Sequence, residues 1–225
     1  SALSFCAIDS GIRHAVSGAS YGDVRTAAFM AYTIIAMAEG ATEASLQEAR
    51  ATDDWSKLPY GGFLSNISPS LFDLRYRALL PETMRGSEFL EKYKVSIDKV
   101  TTINPTSTYY LVNCARHPIG ENFRIQNFLT LLNQFGKSED KEAALELMGE
   151  MMFQSHASYS SVGLGNTNTD EIVEMVRTAG PGTGVYGARI TGGGSGGTVC
   201  ILYAGKKGKE TVKGLFEEYR SKHGI

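Results

Sequence analysis

Tyr186-Gly-Ala-Arg-Ile-Thr-Gly-Gly-Gly-Ser-Gly-Gly-Thr-Val-Cys200 is the stretch on which the fold turns. The runs on either side, Val185–Ile190 and Thr198–Tyr203, are rich in β-branched and apolar residues and read as strands. Gly192, Gly194 and Gly197 satisfy G-x-G-x-x-G, but a dinucleotide fingerprint needs a helix to open at the third glycine. Here a strand follows instead. Val199 completes the glycine-rich cover loop of protein kinases, which must be followed by a lysine, a catalytic loop and a metal-binding Asp; the residues after Val199 do not supply them. A Walker loop requires G-K-[ST], and no lysine follows before Lys206. What remains is a glycine loop between two antiparallel strands. Residues without Cβ take positive φ and let successive N–H groups face one concavity suited to phosphate oxygens. The same letters also suit a long hairpin or close backbone packing, and the local sequence leaves both readings open.

Outward from the loop, helices and strands alternate. Residues 21 to 39 carry Val24, Ala27, Ala28, Ala31, Ile34, Ile35 and Ala38, the stripe of an amphipathic helix, with Gly40 as its stop. A second stripe runs through Phe123, Phe128, Leu131, Leu132 and Phe135. A third runs through Ala144, Leu147, Met148 and Met151, with Ser138 as N-cap and Glu139 and Asp140 in its first turn. Gly136-Lys137 makes these two a helical hairpin. Further helices are expected at 170–179 and 209–223, and further strands at Phe5–Ile8, Val95–Ile103 and Tyr109–Asn113. The mixed order predicts an α+β fold, an antiparallel sheet covered on one face by helices. No domain boundary is evident.

Composition narrows the function classes. Lys and Arg number 22 against 24 Asp and Glu, a net charge of -2, so there is no basic excess for a phosphate backbone and nucleic acid is not the expected partner. No stretch approaches the roughly 20 consecutive apolar residues of a membrane span, and no membrane partner is expected. Cys6, Cys114 and Cys200 are odd in number and widely spaced within apolar runs, which reads as buried thiols of a cytoplasmic protein. The four histidines share no metal-ligand spacing, and no metal site is expected.

The glycine loop resembles the third, C-terminal motif of the GHMP small-molecule kinases, in the form used by galactokinases and more closely by L-arabinokinases. Asp9-Ser-Gly-Ile-Arg-His14, Tyr21-Gly-Asp-Val-Arg25, Leu64-Ser-Asn-Ile-Ser-Pro69, Phe89-Leu-Glu-Lys-Tyr93, Ala115-Arg-His-Pro-Ile-Gly-Glu-Asn-Phe-Arg124, Gln154-Ser-His-Ala-Ser-Tyr-Ser160 and Gly163-Leu-Gly165 extend the likeness along nearly all of the chain. The resemblance implies one GHMP kinase C-terminal domain over 1–225, with a ferredoxin-like sheet. Residues 1–20 would then include a strand and a connection belonging to an N-terminal kinase domain. The family's opening motif, its Ser-rich phosphate loop and its catalytic Asp are not in this sequence; Ser160-Ser-Val-Gly-Leu-Gly165 has similar letters in another order after a helix. The resemblance therefore implies the C-terminal portion of a sugar kinase, with the general base outside this chain and the fragment inactive by itself.

The implied reaction is ATP- and Mg2+-dependent phosphoryl transfer to the anomeric hydroxyl of a free sugar, with L-arabinose favoured. A galactokinase, another GHMP kinase, or a non-catalytic sugar and ATP sensor of the same fold are alternatives. By the same resemblance, Thr191, Gly192, Gly193, Gly194, Ser195, Gly196 and Gly197 border the nucleotide phosphates. Tyr21, Asp9 and Arg13 fall on the sugar side, and most of the ATP and Mg2+ contacts belong to the absent half.

Overall fold

The computed structural model describes residues 2–12, 21–194 and 197–224. In chain order its principal elements begin with β1 (Leu3–Asp9), α1 (Tyr21–Ala38), α2 (Glu43–Thr52), the single turn α3 (Pro69–Leu71) and β2 (Thr83–Arg85). They continue with α4 (Gly86–Tyr93), β3 (Thr108–Tyr110), α5 (Leu111–Gln134), α6 (Lys141–Ser161), α7 (Thr167–Ala179), β4 (Val185–Ile190), β5 (Thr198–Ala204) and α8 (Gly205–His223). They gather into two compact units, Ser1–Gly18 with Arg124–Ile225, and Ala19–Phe123. Among the described residues no helix is long and apolar enough to cross a membrane.

In the unit of residues 19–123, α1 buries the expected stripe, including Val24, Ala27, Ala31, Ile34 and Ile35, and ends at Gly40 with φ +96°. Thr42 opens α2 through a capping box with Ser45. The expected strand at Val95–Ile103 is not formed; this segment is irregular. Its apolar residues Val95 and Ile97 are buried as in a strand, but the buried Asp98 carboxylate turns the chain by accepting the Val100 N–H at 3.0 Å and the Thr101 N–H at 3.1 Å. Such local side-chain bonds compete with a ladder. The expected strand Tyr109–Asn113 is corrected to a three-residue strand, β3, paired with β2. From Leu111 onward the apolar residues Leu111, Val112, Ala115 and Ile119 form the buried stripe of α5.

In the other unit, β1, β5 and β4 form an antiparallel sheet in that order. β1 pairs with β5 from Leu3↔Ala204 to Asp9↔Thr198 and lies at one edge of the sheet. β5 alternates between two cores: Val199 and Ile201 pack with Ile172, Val173 and Val176 of α7 and Tyr219 of α8. Leu202 and Ala204 pack with Leu145, Met148 and Met152 of α6, against which Phe128, Leu131 and Leu132 of α5 lie. Helices thus cover both faces rather than the one expected, because β5 is apolar at every position from Val199 to Leu202 and needs cover on each side. The helical hairpin across Gly136-Lys137 is present, though Asp140 rather than Ser138 caps α6, its side chain accepting the Ala143 N–H. At Gly149 and Gly187, α6 and β4 meet backbone to backbone: a Cβ built on Gly149 falls on the Tyr186 carbonyl, and one on Gly187 falls on the Gly149 backbone. Cys114 is buried, Cys6 and Cys200 are half-buried, and all three are free thiols; burial, then the neighbouring Cys200, pushes the Cys6 thiol up to about 11.

Candidate functional site

The loop between β4 and β5 is closed at its base by Thr191, whose N–H and Oγ1 both donate to the Thr198 carbonyl at 2.9 Å. Its far side is stitched to the end of β1: the Ser10 N–H donates to the Gly197 carbonyl at 2.9 Å and the Gly197 N–H to the Ile12 carbonyl at 3.1 Å. Gly192, Gly194 and Gly197 have φ of +66°, +84° and +88°, a region closed to most side chains. The glycines serve two purposes. Gly194 is buried, and a Cβ there would lie 2.6 Å from the Leu164 carbonyl oxygen and 2.7 Å from its Cβ, so this residue is bare for close packing. Around Gly192 and Gly197 a Cβ meets nothing within 4 Å, so these two are bare for conformation and approach. Among the described residues, no hydrogen-bond partner takes the N–H groups of Gly192, Gly193 or Gly194.

The structure brings Asp9 to this loop. It pairs with Thr198, and its exposed carboxylate accepts the Gly11 N–H at 2.9 Å. Arg13, Ser195 and Gly196 lie outside the described residues. Tyr21 stands in the other unit as the first residue of α1 and is 58% exposed, so it is not a core aromatic. Thr191, placed with the phosphate loop by the family resemblance, has its hydroxyl proton committed to the hairpin base.

Residues of α6 and the turn after it support the loop, a role that the sequence does not assign to them although they lie in segments that carry the family resemblance. Tyr159 donates its hydroxyl to the Gly192 carbonyl at 3.2 Å, and the Arg189 guanidinium lies 5.3 Å over the Tyr159 ring. The buried His156 accepts the Ile190 N–H on Nδ1 at 3.2 Å, while its Nε2 lies 2.8 Å from Asp170 Oδ1. Burial pushes the imidazole below its ordinary pKa, with Arg177 and Arg189 acting the same way and Asp170 opposing. Leu164, within the Ser160–Gly165 stretch set aside as a misleading likeness, is the surface on which Gly194 rests. A signal existed: Gly149, His156 and Tyr159 share the face of α6 that carries Met152, the 3- and 4-residue spacing of a packed stripe.

Residues 141–223 match the family described as GHMP kinases C terminal. The chain is 38% identical over 216 residues to the L-arabinokinase of Arabidopsis thaliana, covering 88% of this chain and 20% of that protein. It is 34% identical over 114 residues to the galactokinase of Thermotoga maritima, 49% of this chain and 29% of that one. The chain thus spans less than a third of the length of these relatives. Its fold is similar to the galactokinase of Lactococcus lactis, a structure solved with galactose, with a TM-score of 0.63 at 18% identity over 99% of this chain and 43% of the other.

Proposed function

We propose that this chain, whose residues 141–223 match the C-terminal domain of the GHMP kinases, is the C-terminal part of an ATP-dependent sugar-1-kinase of that family acting on L-arabinose in the cytoplasm. The identity to an L-arabinokinase over most of the chain supports the choice of sugar, and three free thiols suit a reducing compartment. The observation that carries the reading is the row of N–H groups at Gly192, Gly193 and Gly194, held at one end of the sheet with no partner among the described residues.

ATP supplies the phosphoryl group. In such transfer the protein mostly positions the reactants and stabilises spread negative charge. The loop amides fit that task, since each donates to a phosphate oxygen without bringing a side chain into the space. Thr191 and Gly197 hold the two ends of the loop, and Leu164 backs it. Asp9, Arg13 and Tyr21 serve the sugar side. Mg2+ falls to the nucleotide phosphates and to the N-terminal kinase domain. The base and the principal phosphate loop come from the N-terminal kinase domain.

Two variants of the full-length protein test this reading. Gly192→Ala strains a positive φ without a clash and places a methyl where phosphate approaches; kcat/KM for ATP should fall about tenfold while the melting temperature moves by only a few degrees. Near wild-type kinetics would make the loop a plain hairpin. Gly194 is the poorer probe, because its substitution also presses on Leu164. Tyr21→Phe removes one hydroxyl from an exposed ring and should cost about 0.5 to 1.5 kcal/mol, a roughly threefold to tenfold fall in kcat/KM for the sugar. An unchanged sugar kcat/KM withdraws Tyr21 from the acceptor side.

A further inference from the structure

β4 lies at the edge of its sheet, opposite β1. Thr191, at its end, directs its N–H inward to the Thr198 carbonyl, so the Ile190 N–H, one residue earlier, points outward toward α6. An outward edge amide needs an acceptor from elsewhere. His156 provides it at 3.2 Å. Because Nδ1 accepts there, the ring proton sits on Nε2, facing Asp170 at 2.8 Å, and the imidazole is neutral. The residue is buried, at 6% exposure, and among the described residues the charged groups facing it are Asp170 and Arg177 of α7 and Arg189 of β4. One turn further along α6, Tyr159 takes the Gly192 carbonyl. The same helix face therefore grips the chain on both sides of Thr191.

We propose that neutral His156 is a positioning residue for the glycine loop: it fixes the Ile190 amide where the loop leaves β4, and protonation of its Nδ1 releases that hold and weakens the nucleotide side of the reaction. This rests on the kinase reading above. Protonated, Nδ1 and the Ile190 amide are two donors facing one another, and the new charge lies near Arg177 and Arg189, with Asp170 offsetting them among the described residues. The folded-state pKa is lowered, so the neutral ring is fully in place above the ordinary histidine value, about 6.5. The hold is lost as pH falls through the lower folded value.

The test compares wild-type full-length protein with His156→Leu, which has no acceptor, and His156→Asn, whose Oδ1 replaces Nδ1 and does not titrate. The Leu variant should raise KM for ATP about tenfold, the loss of one buried hydrogen bond, with KM for the sugar within about twofold of wild type. The Asn variant should recover most of that loss. In the wild type, KM for ATP should climb on the acid side, and in the Asn variant that climb should be absent. An equal rise in both KM values, or an acid limb retained by Asn, overturns the proposal. Hydrogen exchange gives a readout that needs neither turnover nor the Leu variant: protection of the Ile190 amide should fall on acidification in the wild type and stay constant in the Asn variant. Protection independent of pH in the wild type overturns the proposal whatever the kinetics. If protection behaves as expected but the wild type shows no sugar-dependent ATP turnover, the kinase reading fails and the grip on Ile190 stands.

Discussion

Asp98→Ala should lower the stability of the unit holding residues 19–123 by about 3 kcal/mol. The carboxylate is 2% exposed and takes Arg25 in two-point fashion, Nε at 3.1 Å to each oxygen and Nη2 at 2.7 Å to Oδ1. It also takes the backbone N–H groups of Val100 and Thr101 and the Thr101 hydroxyl. Removing it leaves all of these donors without their acceptor at once. The cost sits at the lower end of the range for breaking a buried pair because the Arg25 side chain is 28% exposed and regains water. Burial opposes ionisation of Asp98, yet the bonds from Arg25, Thr101 and Val100 together hold its carboxyl below the usual range. A lowered carboxylate pKa stabilises the fold above the unfolded value, about 4, and that contribution disappears as pH falls through the folded one. Urea titrations at neutral pH measure the loss, and a change under about 1 kcal/mol would show that the turn holds without its carboxylate.

The second large effect is expected at Gly149, where two rules give opposite signs. Helix propensity alone makes Gly→Ala stabilising by roughly 1 kcal/mol in a helix interior. Packing says the reverse: the new methyl falls on the Tyr186 carbonyl and close to the Gly187 amide, both backbone, so no side-chain rotation relieves the overlap. α6 must move off β4, an overpacking penalty of about 3 kcal/mol before the propensity gain. Gly149→Ala should therefore lower the melting temperature by several degrees. An unchanged or raised value would mean that the helix shifts freely on the strand.

The strands around the glycine loop and the stripe of α1 were legible because period and composition agree there. The Val95–Ile103 segment was not: its alternation is that of a strand, and the decision lies with Arg25, far away in sequence, which brings the charge that lets Asp98 be buried. The start of α5 was misread because Tyr109–Val112 serves a strand with its first half and a helix with its second. At the site, positive φ at Gly192 and Gly197 follows from the letters alone. The different duty of Gly194 does not, since Leu164 reaches it only through the fold. His156 has no role legible in the sequence because a lone histidine carries no spacing signal; its bond to Ile190 depends on β4 being an edge.

The ladder between β1 and β5 bears on how this protein can be cut. The stretch that matches the family begins at residue 141, yet the middle strand of its sheet has its whole second partner at residues 3–9. Excision at that boundary would strip one side of β5, unfasten Gly197 from Ser10 and Ile12, and expose an apolar strand of the kind that aggregates. The compact unit that holds this sheet is discontinuous in sequence, and residues 19–123 are inserted between its first strand and its remaining elements. A permutant that carries β1 after α8 would keep its pairing only through a linker long enough to run back along α8, because β1 starts beside the start of that helix and ends beside Tyr219 near its end.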